Sequence, residues 1–223
     1  MSQITLAIPP VSALRTEAAD YKQIPAGVEL HRVHHWDYPG DLYNDYDGGD
    51  ARFSPIRDSA GHIIPTIYAA ASFQCAVCEI VLRAPEQMLV DPRTGTINKA
   101  VVAPSDYDEH QYSRVVLNSD LKLLDLSTIG QRKIGVDRNA LIAGSDVTYV
   151  TTRAWAEAIY DNFPEIDGLH YVSHQTGEDV MMLFGTRAAG AFRVLETVNL
   201  NTYPITQAIK KLARSLGMKY VDP

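Results

Sequence analysis

The chain has 223 residues, 46% of them apolar and 21% charged, an ordinary globular composition in a chain long enough to bury a core. With 20 lysines and arginines against 27 acidic residues, the net charge is −7, which disfavours long-range attraction to a phosphate backbone, so no direct nucleic-acid binding is expected, while a local Arg cluster can still hold a small anionic ligand. The sequence has no apolar run of about 18 residues and no leader-like start, so no membrane span is expected and the cytoplasm is the expected location.

The segment up to about Lys22 is mixed in character and reads as an N-terminal extension. Val28-Glu-Leu-His-Arg-Val33 alternates as a half-buried strand does. Residues 37–50 are rich in Tyr, Asp, Asn and Gly and read as an acidic, aromatic loop. Thr66-Ile-Tyr-Ala69 is a short strand. Ser72 is an N-cap, and Phe73, Ala76, Val77 and Ile80 predict the apolar face of a helix over residues 72–83. Residues 114–127 read as two strands around Asn118-Ser-Asp120. Thr152 caps a helix that runs through Trp155 and Ile159 to about Asn162. Leu169-His-Tyr-Val172 and Val180-Met-Met-Leu-Phe184 are strands joined by a turn at Gly177. Ile205, Ala208, Ile209, Leu212, Ala213 and Leu216 share one face of a last helix, with Pro204 in its first turn and Gly217 after its end. Strands and helices intersperse without a regular βαβ repeat, so the expected class is α+β, and no Gly-rich phosphate loop is present.

Several polar residues in this pattern admit two readings. Arg32 stands inside an alternating strand and Arg52 beside Phe53, after a glycine pair. They are either ordinary surface or ion-paired arginines, or a pair able to grip a pyrophosphate by bidentate hydrogen bonds. Glu79 flanks the apolar face of its helix. It either pairs with Arg83 at i,i+4 or faces a cleft, where a carboxylate holds ribose hydroxyls or stabilises an oxocarbenium-like transition state. Tyr68 is either a core tyrosine or a ring and hydroxyl offered to a ligand. The only cysteines, Cys75 and Cys78, sit mid-helix without the second pair a structural zinc needs, and read as buried thiols. His31, His34 and His35 have no HExxH partner, so no metal is expected. Ser173-His174 lacks the GxSxG elbow of a serine hydrolase.

In their order along the chain, these pieces resemble the RES domain family, named for its Arg, Glu and Ser. The resemblance rests on Val28-Glu-Leu-His-Arg-Val33, Gly48-Gly-Asp-Ala-Arg-Phe-Ser54, Ile67-Tyr-Ala-Ala70 and Cys78-Glu-Ile80. It continues in Leu124-Asp-Leu126, Thr152-Arg-Ala-Trp155, Asp167-Gly-Leu-His-Tyr-Val-Ser173 and Met182-Leu-Phe184. The resemblance implies a single domain with a mixed sheet, flanked by helices and related to ADP-ribosyltransferase toxins. It divides the chain into an N-terminal extension (1–27), a catalytic domain (28–190) and a C-terminal helical extension packed on it (191–223). It implies degradation of NAD by hydrolysis or phosphorolysis, with NAD as substrate, inorganic phosphate as a possible co-substrate and no resident cofactor. By motif position, Glu79, Arg32 and Tyr68 would be catalytic, and Arg52 and Ser173 would bind substrate, Ser173 by a hydrogen bond on the nicotinamide side or by helping to place the carboxylate. A helical DNA-binding antitoxin would be the partner. Transfer of ADP-ribose to a protein target and a non-enzymatic binding role remain the alternatives. The chain departs from the family pattern in a longer stretch from Pro55 to Pro65 and in His174, where an arginine often follows the serine.

Overall fold

The computed structural model describes residues 14–83, 93–95, 100–136, 141 and 149–222, so the start of the expected N-terminal extension lies outside the described residues. Eight strands form the main sheet: β1 (Tyr21–Ile24), β2 (Glu29–His35), β5 (Thr66–Ala70), β7 (His110–Leu117), β8 (Leu121–Asp125), β9 (Gly168–Val172), β10 (Asp179–Phe184) and β11 (Phe192–Asn199). Their order is β1-β8-β9-β10-β5-β2-β7-β11, antiparallel throughout except for the parallel pair β8–β9. Two small ribbons stand apart, β3 (Ile56–Arg57) with β4 (Ile63–Ile64), and β6 (Val101–Val102) with β12 (Lys219–Tyr220). The helices are α1 (Phe73–Ile80), α2 (Thr128–Lys133), α3 (Tyr149–Asn162) and α4 (Tyr203–Ser215). The class is α+β, as expected.

Strand alternation divides the interior into two cores. Along β10, Met181 and Leu183 enter one cluster, while Val180, Met182 and Phe184 enter the other. The second cluster packs Trp155, Ala156 and Ile159 of α3 and the buried face of α1 onto the sheet. The first gathers Ile24 of β1, Leu121 and Leu123 of β8, and Phe192 and Val194 of β11. These strands lie at opposite edges of the sheet, so the sheet is curled. A polar chain crosses four neighbouring strands. His170 Nδ1 lies 3.1 Å from Asp125 and its Nε2 2.9 Å from Asp179, which also pairs with Lys22 at 3.2 Å. Burial alone would raise the Asp125 carboxyl, but hydrogen bonds from Ser127 and His170 outweigh it and hold the group below its usual range.

Four expectations change. The boundaries at 28 and 190 both fall inside the sheet: β1 lies in the expected N-terminal extension, and β11, paired along β7, in the expected helical one. On α1, Cys75 and Cys78 take buried positions beside Ala76 and Val77, whereas Ile80 is 50% exposed. Eight residues make only two turns, and Ser72, accepting from Cys75 N–H at 3.0 Å, sets their phase. Thr152 is not a cap but lies within α3, where its hydroxyl donates to the carbonyls of Tyr149 and Arg52. The last helix starts at Tyr203 and leaves Leu216 46% exposed, with Gly217 at φ +74° taking the chain out of the helix.

Arg187 fixes the end of α3. Its guanidinium donates to the carbonyls of Phe163, Ile166 and Tyr160 at 2.8, 3.2 and 2.7 Å and lies over the Tyr160 ring. Arg187→Ala is expected to lower the unfolding free energy by about 2–3 kcal/mol, read by urea denaturation, because three carbonyls lose one donor group. An unchanged midpoint would show that solvent replaces the clamp.

Candidate active site

Strands β2 and β5 pair only at His31↔Ala70. Beyond that pair they part, and a cleft of about 600 Å³ opens, within the range of small-molecule sites. Residues 31–35 and 66–70 line it consecutively, although side chains of one strand alternate between faces. The cleft is therefore bordered by strand edges rather than by one face of the sheet.

Four of the five residues anticipated from the sequence, Arg32, Arg52, Tyr68 and Glu79, line this cleft. Arg32 Nη1 donates to the Gly40 carbonyl, while its Nε is buried without a partner. A side chain at Gly40 would stand 2.4 Å from Ser113 Oγ, so only glycine lets that carbonyl approach. Burial pulls the Arg32 pKa down to about 10, so the group stays cationic at neutral pH, and among the described residues no carboxylate pairs with it. Arg52 Nη1 donates to the Leu141 carbonyl at 3.0 Å. The backbone around Arg52 is held by α3, since Thr152 bonds its carbonyl and Arg153 donates to the Gly49 carbonyl at 3.2 Å. The Tyr68 hydroxyl accepts from Phe53 N–H at 3.2 Å and lies 3.2 Å from Ser54 Oγ; burial pushes its pKa up to about 12, so it remains protonated.

Ser173 does not line the cleft. It is buried beside a smaller cavity of about 320 Å³ that shares Val172 and His174 with the cleft. Its Oγ donates to Glu79 Oε1 at 2.5 Å and accepts from the N–H groups of Gln175 and Thr176 at 3.0 and 3.1 Å. With its hydrogen and both lone pairs engaged, the hydroxyl is not placed as a nucleophile. It fixes one carboxylate oxygen of Glu79 and leaves the other without a protein partner among the described residues. The expected alternative, Glu79 paired with Arg83, is not formed: Arg83 turns to Tyr149 instead.

The histidines of β2 also border the cleft. His31 Nδ1 lies 2.6 Å from the Tyr112 hydroxyl, and His34 Nε2 lies 2.8 Å from Ser113 Oγ. Burial lowers the pKa of both, which favours the neutral rings. Among the described residues no group of three or more His, Cys, Asp or Glu side chains is placed to hold a metal ion. Cys75 and Cys78 are free and buried, and burial raises both thiols, Cys78 to about 11.

Three further cleft residues escaped the sequence reading. Tyr171 is buried, packs edge-on to Phe53 at 5.4 Å, and is pushed well above its usual pKa, first by burial and then by the Glu79 charge. Its place on β9, two residues before Ser173, was the available signal. Arg83 stands one helical turn beyond Glu79, a spacing weighed only as an ion pair. Tyr149 lies in a stretch without readable periodicity.

A cleft at a strand parting, lined by arginines and by a tethered carboxylate, has the form of a site for a small anionic ligand at which positive charge can develop. The RES domain model matches residues 29–207, and the chain belongs to that family. In structure it is similar to a chain of the M. tuberculosis MbcT–MbcA toxin–antitoxin complex, with a TM-score of 0.60 at 15% identity, covering 93% of this chain and 100% of that one. No curated protein matches the chain in sequence.

Ser173→Ala removes the donor to Glu79 and the acceptor of two backbone N–H groups. A loss of about 2 kcal/mol in unfolding free energy is expected by chemical denaturation. Wild-type stability would mean that the Ser173–Glu79 bond is not formed in solution.

Proposed function

We propose that this protein cleaves the bond between the nicotinamide nitrogen and ribose C1′ of NAD, as the toxin of a toxin–antitoxin pair acting in the cytoplasm. Family membership and the structural likeness to a chain of a toxin–antitoxin complex support the reading. The observation that carries it is Glu79, a half-buried carboxylate tethered by Ser173 in a cleft that Arg32 and Arg52 also line.

The leaving nicotinamide of NAD is already cationic, so its departure needs no acid: the C1′–N electron pair goes to the ring nitrogen. Positive charge then develops on the ribose. Glu79 faces that charge and stabilises it, with its orientation set beforehand by Ser173. Arg32 and Arg52 bind the pyrophosphate oxygens, and Tyr68 packs against the nicotinamide end. A water or inorganic phosphate oxygen bonds to C1′, giving ADP-ribose or its 1″-phosphate. A helical DNA-binding antitoxin is the proposed restraining partner.

Incubation of the pure chain with NAD, with and without phosphate, followed by product separation, tests this directly. Nicotinamide with ADP-ribose indicates hydrolysis, nicotinamide with phosphorylated ADP-ribose indicates phosphorolysis, and label left on protein indicates transfer. Intact NAD in all arms sinks the proposal. Glu79→Gln is expected to lower kcat about a hundredfold with the fold retained. Full activity in that variant would remove Glu79 from the mechanism.

A further inference from the structure

Tyr171 stands on β9 two residues before Ser173 and is only 5% exposed, yet it lines the cleft. Its ring is fixed edge-on against Phe53, whose own N–H donates to the Tyr68 hydroxyl at 3.2 Å. The Tyr171 hydroxyl makes no hydrogen bond to the described residues, and it is not one of the polar atoms sealed in the interior without a partner. A tyrosine buried this far normally finds a partner for its O–H. Here the residue is otherwise enclosed, so the oxygen opens on the cleft and offers one donor and acceptor sites to whatever fills it.

Glu79 is the neighbour that defines what can bind there. Ser173 lies about 7 Å further along the chain from Tyr171. Its Oγ donates to Glu79 Oε1 at 2.5 Å, and α1 packs into the same core cluster as Tyr171, so the carboxylate stands over the face of β9 that carries the ring. Burial first and the Glu79 charge second raise the Tyr171 pKa, with Tyr68 adding to the rise and Arg52 opposing it. The group therefore stays protonated and neutral at neutral pH. A neutral hydroxyl beside an anionic oxygen is a poor seat for a phosphate, which the carboxylate repels. It suits a vicinal diol: one sugar hydroxyl donates to the open oxygen of Glu79, and its neighbour bonds the Tyr171 oxygen.

We propose that Tyr171 is a substrate-binding residue whose hydroxyl, beside the open oxygen of Glu79, holds the vicinal diol of a sugar, so that the cleft selects a ribosyl group over its deoxy counterparts. The proposal rests on the NAD-cleaving reading in that the sugar is the nicotinamide ribose of the dinucleotide. Tyr171 adds to the residues anticipated from the sequence. It transfers no proton; it holds the sugar ring against Glu79 while charge develops there.

The test compares the full-length wild-type chain with Tyr171→Phe, which removes one oxygen and keeps the ring on Phe53. The variant leaves no buried group unpaired, so a folded chain is expected. Steady-state kcat/KM is measured for NAD and for analogues lacking the 2′- or the 3′-hydroxyl of the nicotinamide ribose. Because loss of a sugar hydroxyl changes the intrinsic reactivity of the C1′–N bond, the ratio of variant to wild type is compared across substrates. Tyr171→Phe is expected to cost about tenfold with NAD and less than about twofold with the analogue lacking the hydroxyl that Tyr171 holds. An equal cost on all three substrates shows a merely structural part and overturns the proposal. So does a cost that disappears only with an analogue lacking the nicotinamide carboxamide. A shift in the alkaline limb of the pH profile overturns it too, since a hydroxyl that only binds leaves that profile in place.

Calorimetry separates the diol subsite from NAD cleavage. ADP-ribose ends in the same diol and needs no bond broken. Its affinity is expected to fall about tenfold in Tyr171→Phe, while that of ADP, which lacks the terminal ribose, stays unchanged. That result in a chain that leaves NAD intact sinks the NAD reading and spares the subsite. Equal ADP-ribose affinity in the two chains, with NAD still cleaved, does the reverse.

Discussion

The parting of β2 and β5 after the single pair His31↔Ala70 organises the molecule. Each strand keeps its other edge fully paired, β2 along β7 and β5 along β10, so the split does not unravel the sheet. Two strand edges that would otherwise bond to each other instead face a cavity, and side chains from both faces reach it. Arg32 shares its face with Leu30 and the inner core, while Tyr68 belongs to the opposite face, which packs against the helices. In a continuous sheet the two would be kept apart by the sheet itself.

The cleft also reconciles an acidic chain with the anionic ligand proposed for it. A net charge of −7 acts at long range and is screened within roughly a Debye length. Within the cleft, the local field is set by the guanidiniums of Arg32 and Arg52, each fixed by a backbone carbonyl rather than by a salt bridge among the described residues. Neutral anchors of this kind hold the cations in place without neutralising them. The carboxylate is treated likewise: Ser173 orients Glu79 through a neutral hydroxyl and leaves its charge intact.

What could be read from the sequence was what depends on neighbours in the chain. The strand containing Arg32, the Ser72 cap, the helix bearing Glu79 and the β9–β10 hairpin all follow from local alternation and capping. With the motif order added, Arg32, Arg52, Tyr68 and Glu79 were placed in one site, and they do line one cleft. Long-range pairing was hidden. Nothing local in Tyr21–Ile24 or Phe192–Asn199 says that they close a curled sheet. For Ser173 two roles stood open, a bond to the ligand or a hand in placing the carboxylate; the turn that follows it directs its hydroxyl onto Gln175, Thr176 and Glu79. The meeting of Tyr149 with Arg52 and Arg83 depends on helix packing, which no spacing encodes.

Ser113 carries a consequence for how far the unit that builds the cleft extends. It is fully buried, sits opposite Arg32 on one side and Thr197 on the other, and its Oγ lies 2.8 Å from Thr197 Oγ1. The same hydroxyl backs Gly40, whose carbonyl grips Arg32, and Val194 of β11 crowds Gly40 as well. The guanidinium in the cleft is therefore buttressed by the strand nearest the C-terminus of the sheet. The familiar motifs end near Phe184, yet the functional module does not: a fragment cut after them would keep every signature residue and lose the support that aims one of them.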